Sequence, residues 1–596
     1  MKKDIWIAAI ARGHNAGICL LKNGEIVFSI EEERLTRQKY DGGPYASLLK
    51  VLEYTDTLDY LVIAHTQPLN ETAGRVDYTG DDVYTGLARK LGLIDRKQNL
   101  HRHPQVIDLS HEHHKLHAAC AFYRSGFESA AAVVVDGAGT FIPLKIGDEN
   151  TIGWETETIF NCSYPHNFQT VFKHIGTRGP NNGTMIDGSD EGKSFSALIT
   201  DRAGIVKVYE AVTQFCGFSS IEAGKTMGLF PYGEENNKIP NLFVTNSIMP
   251  LSNRNLIVPN YPNGALVNSE IFSELAFDPE TQDLDDVTTL KNRRDLAFKC
   301  QKETQEQVLN LIIEAHETTK ETNIVLSGGY ALNCVANYFY LEKLKDLGIN
   351  LYVEPISNDA GTAIGAAYLF YNRLIGEAEN QGRQEYLYLG PEYSFTENDL
   401  KNASDKFDAE LTKCSDSDVI DLLLEKNIVA VFQGRSENGP RALGNRSLLF
   451  DPTYQDAKDF VNQVKRREYF RPFAGSILEE DAKDWFDLKG MESSPSMMYA
   501  VNCKESVREK IPGIIHIDGT CRIQTVNKTQ NPLFYKLINK FKQKTGVPIL
   551  FNTSFNLGGE PLVETLDDAL STIANSELEY LYLPENKILI QIKNND

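Results

Sequence analysis

Four of the chain's 12 histidines, His111, His113, His114 and His117, fall within one short stretch that opens at Ser110. On a helix, His113 and His117 share a face, and two imidazoles at that spacing can hold one metal ion. His114 and His117 are three apart and form the other candidate pair. A histidine-rich first turn facing solvent would bind nothing. Metal binding therefore needs carboxylates from elsewhere, and the chain carries two acidic, glycine-rich turns. Asp136-Gly-Ala-Gly follows the apolar run Ala131–Val135, and Asn358-Asp359-Ala-Gly opens an alanine-rich segment. Such turns let backbone N–H groups approach phosphate while the aspartate faces a metal or its water. Asp-Gly standing alone is simply a hairpin turn.

The elements that must carry these groups follow from periodicity and punctuation. Residues 4–10 read as a buried strand, and Asn23-Gly24 between Ile18–Leu21 and Ile26–Ile30 is a type I′ hairpin signal. The first turn of this meander presents Gly13-His14-Asn15-Ala16-Gly17. Strands are expected at Tyr60–Ala64 and Ala130–Val135, with the histidine helix between them and Ser110 as its N-cap. Residues 141–290 have weaker periodicity and read as an insertion that shapes a substrate cleft. A long helix through Leu296, Cys300, Val308, Ile312 and Ala315 leads to the strand Ile324–Ser327 and the turn Gly328-Gly329. Alternating strands and helices with acidic or glycine turns at strand ends indicate a doubly layered α/β fold that binds nucleotide. The expected boundaries are 1–375 for this domain, 376–394 for a linker, and 395–596 for a second α/β domain in which arginine is concentrated.

At 596 residues, 41% hydrophobic and 24% charged, the chain has an ordinary globular composition for two to four domains. A formal charge of −22 argues against binding nucleic acid by bulk electrostatics. One locally basic segment, Arg89-Lys90 through Arg96-Lys97 to Arg102, could still follow phosphates, or be a solvated helix. The nine cysteines are scattered without a C-x-x-C pair, which disfavours zinc knuckles and disulfides. The N-terminal apolar run is too short to span a membrane and reads as a strand rather than a signal peptide. A cytoplasmic protein with no membrane partner is expected, and a homodimer is compatible with it.

Motifs spread in order over nearly the whole chain resemble the nodulation-type and antibiotic-type O-carbamoyltransferase family. They are Gly13-His14, Glu31-Glu-Glu-Arg-Leu-Thr-Arg37, the His113/His117 pair, Asp136-Gly-x-Gly, and Gly224-Lys-x-Met-Gly-Leu-x-Pro-Tyr-Gly233. They continue with Gly328-Gly-x-Ala-Leu-Asn-Cys-Val-Ala-Asn337 and Asp359-x-Gly-x-x-x-Gly-Ala. Beyond the linker come Gly434-Arg-x-Glu-x-Gly-Pro-Arg-Ala-Leu-Gly-Asn-Arg-Ser447, Arg471-Pro-Phe-Ala474, His516-x-Asp-Gly-Thr-x-Arg522 and Asn552-Thr-Ser-Phe-Asn556. The resemblance implies an actin-like (ASKHA) N-terminal domain, like the threonylcarbamoyl transferases, and a smaller YrdC-like C-terminal domain. It implies that carbamoyl phosphate and ATP, with Mg, give carbamoyl-adenylate in the second domain. The carbamoyl group then passes to an acceptor hydroxyl in the first.

The same resemblance assigns metal ligation to His113, His117, Asp136 and Asp359. Two imidazoles and two carboxylates suit a divalent transition ion, Fe(II) before Mn or Zn, better than calcium. It marks Lys465, Arg471 and Arg522 as catalytic cations that, with Arg441, Asn552 and Ser554, bind carbamoyl phosphate or the adenylate, because polyanions need ordered cations. His14 is the catalytic base on the acceptor or orients the carbamoyl group. The resemblance further implies that Gly137, Lys225, Gly328, Gly329 and Asn333 are the nucleotide-binding positions of the first domain. The chain departs from the family where Asn15-Ala16-Gly17 replaces the usual Asp-Ser-Ala, and where Tyr330 replaces a small aliphatic residue. The acceptor is expected to be a small hydroxylated metabolite, with a hydroxymethylated pyrimidine in nucleic acid as the alternative. A tRNA threonylcarbamoyl transferase lacks the fused second domain. A hydrogenase-maturation carbamoyltransferase needs zinc-knuckle cysteines, and a plain actin-like ATPase has no use for the arginine-rich half.

Overall fold

Asn23 and Gly24 both take left-handed backbone, at φ 53° and 89°, as a type I′ turn requires. They join the strands Gly17–Lys22 and Glu25–Glu31 into the hairpin read from the sequence. The structure, a computed structural model, describes residues 4–593 except 44, 68–82, 97–102, 147, 180, 191, 245–248, 261–262, 276–286 and 377–378. It is a mixed α/β protein in two units. The first unit comprises Met1–Gly13, Ile18–Glu25 and Leu48–Gln384. The second comprises His14–Gly17, Ile26–Ser47 and Glu385–Asp596.

In the first unit, the strands Trp6–Ala11, Tyr60–Ala64 and Val106–Asp108 run parallel, with Ala11 opposite Ala64 and Ile63 opposite Asp108. A second sheet runs in the order Thr184–Asp190, Lys193–Thr200, Asn167–Thr177, Glu149–Ser163, Ser129–Val135, Asn323–Ser327, Asn350–Val353. Its parallel centre, Ser129–Val135 beside Asn323–Ser327, is almost wholly buried, as expected of strands covered on both faces. In the expected insertion at 141–290, the first sixty residues are strands that extend this sheet, antiparallel except where Lys193–Thr200 runs parallel to Asn167–Thr177. Their alternating polar and apolar residues, as in Asn167–Thr177, mark a one-sided sheet. That period-two pattern is what weak helical periodicity there reflects.

The histidine helix, His113–Ser125, is buried along its whole length. It packs against the helix Asp359–Ile375, and a Cβ at Gly365 would collide with the Leu116 carbonyl. This close approach is what brings Asp359, at the first turn of its helix, to the histidines.

The second unit is built on a ten-stranded sheet. At its centre Val429–Phe432, Arg446–Phe450, Ile549–Ser554, Ala474–Leu478 and Thr520–Val526 lie side by side. The register sets Asn552 opposite Ala474 and Ala474 opposite Arg522, so three motifs far apart in sequence meet in one row. Among the described residues no helix is long and apolar enough to cross a membrane.

Candidate functional site

Thr140, not Ser110, opens the histidine helix. Ser110 begins a short 3-10 turn, and the helix itself starts at His113, whose backbone N–H donates to Thr140 Oγ1 at 3.1 Å. The Thr140 hydroxyl in turn donates to the Ser110 carbonyl at 3.2 Å. A helix leaves its first N–H groups without internal partners, and a hydroxyl from another segment serves here as a side-chain cap would. Thr140 is held by Glu155, whose carboxylate accepts the Thr140 N–H at 3.0 Å and pairs with Lys173 at 2.6 Å.

On this helix the pair that faces the aspartates is His113 and His117. His113 Nε2 lies 3.8 Å from Asp136 Oδ2 and 3.7 Å from Asp359 Oδ1, and His117 Nε2 lies 3.6 Å from Asp359 Oδ1. All four ligand atoms fall within 4.8 Å of one another, the only such grouping among the described residues. These gaps are too long for good hydrogen bonds. They are close to the edges of a coordination polyhedron with arms of about 2 Å. Both ring nitrogens of His113 and of His117 are buried without a hydrogen-bond partner, and a buried orphan of this kind is costly unless something else satisfies it. The four side chains therefore fit a divalent transition ion. Burial alone would push the His113 pKa down, but Asp136 and Asp359 carry it up to about 10. The two carboxylates thus demand a positive charge at this point.

The other histidines divide cleanly. His114 points to the opposite side, where its Nδ1 lies 2.8 Å from Thr158 Oγ1, and burial holds its pKa at about 4. His111 is exposed beside Glu112. His65, at the end of Tyr60–Ala64, was not anticipated. Burial and the Arg12 guanidinium hold it neutral at about 4, and it feels the charges of His113 and Asp359.

Asp136 does double duty. Its Oδ1 accepts the Gly329 N–H at 2.9 Å while Oδ2 faces His113. Gly328, at φ 89°, leaves no room for a side chain against the Val135 carbonyl. Of the expected nucleotide positions, Gly329 thus spends its N–H on Asp136. Asn333 caps the helix Cys334–Lys345 and exchanges amide bonds with Gln301 at 2.9 and 3.2 Å. Lys225 pairs with Glu222 at 2.8 Å, and Gly137 lies beside Lys207 and Glu210. Tyr330 is buried with its hydroxyl on Thr304 at 3.0 Å.

The second unit gathers the opposite charge. Lys465 is 1% exposed, and its ammonium donates to the Ser554 carbonyl and to Asn556 Oδ1 at 3.2 Å. Burial, then Arg467 and Arg471, pull its pKa well below the ordinary lysine value. Burial, Arg471 and Arg522 do the same to Arg467. Arg467 was missed in the sequence because Lys465-Arg-Arg-Glu468 reads as a solvated charge run. In the structure its guanidinium stacks 4.8 Å over Phe473. The Nε atoms of Arg467 and Arg522 are buried without an acceptor. Asn552 donates to Ser476 Oγ at 2.9 Å, and its own carbonyl oxygen is buried and unpartnered, ready for an amide donor. Ser554 donates to Asn556 at 2.6 Å. Arg441 follows Gly439 in the turn before Arg446–Phe450, next to Ala442, whose carbonyl accepts from Asn552 at 3.4 Å. His14 is exposed in its turn, with its ring 6.5 Å from Tyr40.

The basic segment is not a continuous surface stripe. Arg89 is buried, and Lys97 and Arg102 lie outside the described residues.

Two family models cover most of the chain. "Carbamoyltransferase N-terminus" matches residues 83–368, and "Carbamoyltransferase C-terminus" matches 420–590. The chain is 30% identical to nodulation protein NolNO of Sinorhizobium fredii over 95% of its own length and 78% of that protein's. It is 31% identical to nodulation protein NolO of Bradyrhizobium diazoefficiens, covering 79% of this chain and 77% of that one. Among solved structures, full-length HypF in its phosphate- and nucleotide-bound form is 12% identical, covering 63% of this chain and 57% of its own, with a TM-score of 0.35.

Proposed function

The chain belongs to the carbamoyltransferase family, and on that premise we propose that it is an ATP-dependent O-carbamoyltransferase whose two units divide the reaction between them. In the second unit, which we read as YrdC-like, water splits carbamoyl phosphate into carbamate and phosphate, and the carbamate oxygen then attacks the α-phosphorus of ATP to give carbamoyl-adenylate, with pyrophosphate leaving. In the first, which we read as actin-like, the acceptor oxygen bonds the carbamoyl carbon and gives up its proton while AMP leaves.

The observation that carries this reading is the cation group built on the buried Lys465 and Arg467 with Arg471 and Arg522 beside them: burial, then Arg467 and Arg471, pull the Lys465 pKa down, and burial, then Arg471 and Arg522, pull the Arg467 pKa down. Cations buried together are costly unless an anion balances them, and carbamoyl phosphate, ATP and pyrophosphate are all polyanions. Lys465 and the three guanidinium groups hold phosphate oxygens and steady the charge that develops on the leaving pyrophosphate. The Asn552 carbonyl oxygen accepts from the carbamoyl amide, which orients it. In the first unit His113, His117, Asp136 and Asp359 would hold a divalent ion, Fe(II) before Mn or Zn. Such an ion supplies Lewis-acid polarisation and a template for the phosphate. The acceptor is a hydroxyl of a small metabolite. Arg89, the start of the only basic run that favoured nucleic acid, is buried.

The test is pyrophosphate release from ATP with and without carbamoyl phosphate, followed by mass analysis of small hydroxylated acceptors for the added carbamoyl group. ATP turnover indifferent to carbamoyl phosphate would sink the proposal.

A further inference from the structure

Residues 26–47, which come early in the chain, pack into the second unit. The Ser29 N–H donates to the Leu389 carbonyl at 2.7 Å, and Arg435 reaches the Val27 carbonyl at 2.6 Å. The Glu32 carboxylate, fully buried, accepts the N–H groups of Ala46 and Ser47 at 2.6 and 2.9 Å. Glu33 accepts the Tyr40 N–H at 2.9 Å and pairs with Lys39 at 2.7 Å. These carboxylates fold the segment around one short helix, Glu32–Thr36.

The two arginines of that helix region reach in two directions. Arg34, 3% exposed and paired with Glu31 at 3.2 Å, donates to the Glu437 and Gly439 carbonyls at 3.2 and 2.7 Å. That is the start of the loop that carries Arg441. Arg37 takes left-handed backbone at φ 60°, which ends the helix, and donates to the Pro561 and Leu562 carbonyls at 3.0 and 2.7 Å. Its guanidinium also lies 3.9 Å from Glu560 and 3.8 Å from Asp568. The loop it grips closes on the cation group. Val563 N–H bonds Phe555 at 3.0 Å, Asn556 bonds the Glu560 carbonyl at 2.6 Å, and Gly558 N–H bonds the Lys465 carbonyl at 2.8 Å. Asn556 and Ser554 then receive the Lys465 ammonium.

We infer that Arg34 and Arg37 are positioning residues for the anion site, a clamp from the N-terminal segment that fixes the two loops flanking Lys465 and Arg441. The assignment of that site to adenylation rests on the function proposed above, whereas the clamp is read from contacts alone. A guanidinium suits this task because its planar fork bonds two carbonyls at once and stays charged. The site is thus composed from both ends of the chain, and a binding unit cut at the linker would lack part of its frame.

The test uses the full chain with Arg37→Ala and Arg37→Lys, the second keeping the charge without the fork. Two readouts are taken: amide hydrogen exchange across residues 555–563, and calorimetric binding of inorganic pyrophosphate. Arg37→Ala is expected to speed exchange in that loop and to weaken pyrophosphate about tenfold, since small misplacements of site groups have effects of that order or larger. Arg37→Lys should fall between. Unchanged exchange in Arg37→Ala overturns the clamp, even with weaker binding, because Arg37 would then be touching the anion directly. Wild-type protein that binds no pyrophosphate counts against the adenylation reading instead, and the exchange rates still decide the clamp.

Discussion

The two buried clusters are opposites in charge and alike in construction. In the first unit, two carboxylates and two imidazoles converge on one point, and the carboxylates raise the pKa of the buried His113. In the second, burial and the neighbouring Arg467 and Arg471 lower the proton affinity of Lys465, and burial with Arg471 and Arg522 lowers that of Arg467. Each cluster holds polar atoms that no protein group satisfies. Each is also framed by segments distant in sequence: Thr140 and Glu155 for the histidine helix, Arg34 and Arg37 for the cation loops. The difference is one of charge: the first cluster's chemistry fits a cation and the second's fits an anion, which is what the division of activation and transfer proposed above requires.

The sharpest way to break that division is to damage one cluster and watch the other. His117→Ala should lower bound metal from about one ion per chain to near zero. Carbamoyl transfer should be abolished while carbamoyl-phosphate-dependent pyrophosphate release persists; metal analysis beside a pyrophosphate assay checks this, and joint loss would refute separate sites. Lys465→Ala should do the reverse, cutting pyrophosphate release by about a hundredfold or more at unchanged metal content. A smaller effect is expected where the frame alone is touched. Thr140→Val, which removes the hydroxyl that opens the histidine helix, should weaken metal binding by about tenfold, read by competition with a chelator.

The smallest effect is a proton. The Lys465 pKa is lowered in the folded protein, so an anion that binds beside it raises that value and takes a proton up from solution. Sulfate, which does not titrate in this range, should bind more tightly as pH falls through the free-site value. Calorimetry in buffers of different ionisation enthalpy measures the uptake, and Lys465→Ala should abolish it. For stability the sign is the opposite of an ion pair. Between the lowered value and 10.5 the unfolded chain holds the proton that the native lysine lacks, so this group's contribution to stability rises with pH.

Much of the grouping of His113, His117, Asp136 and Asp359 was legible in the chain because these residues sit at strand ends and at helical spacing, positions that local pattern determines. Asp136 after Ser129–Val135 and the four-residue step from His113 to His117 are of this kind. The hairpin at Asn23-Gly24 was legible for the same reason. What escaped depends on tertiary partners. Ser110 has the chemistry of a cap, but Thr140 from a later turn occupies that place. Arg467 and Arg89 look like surface charges, and only packing against Phe473 or inside the helix Val83–Leu91 shows them to be buried. The strands after residue 141 lacked the helical period that the rest of the unit displays, and pairing with Ser129–Val135 is what identifies them as sheet. Nothing local in Glu31–Arg37 announces that it packs with residues four hundred positions away.

Asp136 divides its two oxygens between the Gly329 N–H and the ion position. With the ion proposed above in place, that sharing would link it thermodynamically to the glycine turn. A small molecule that drew the Gly329 N–H away from the carboxylate would change how strongly that oxygen pair serves the metal, and by reciprocity the metal would change that molecule's affinity by the same factor.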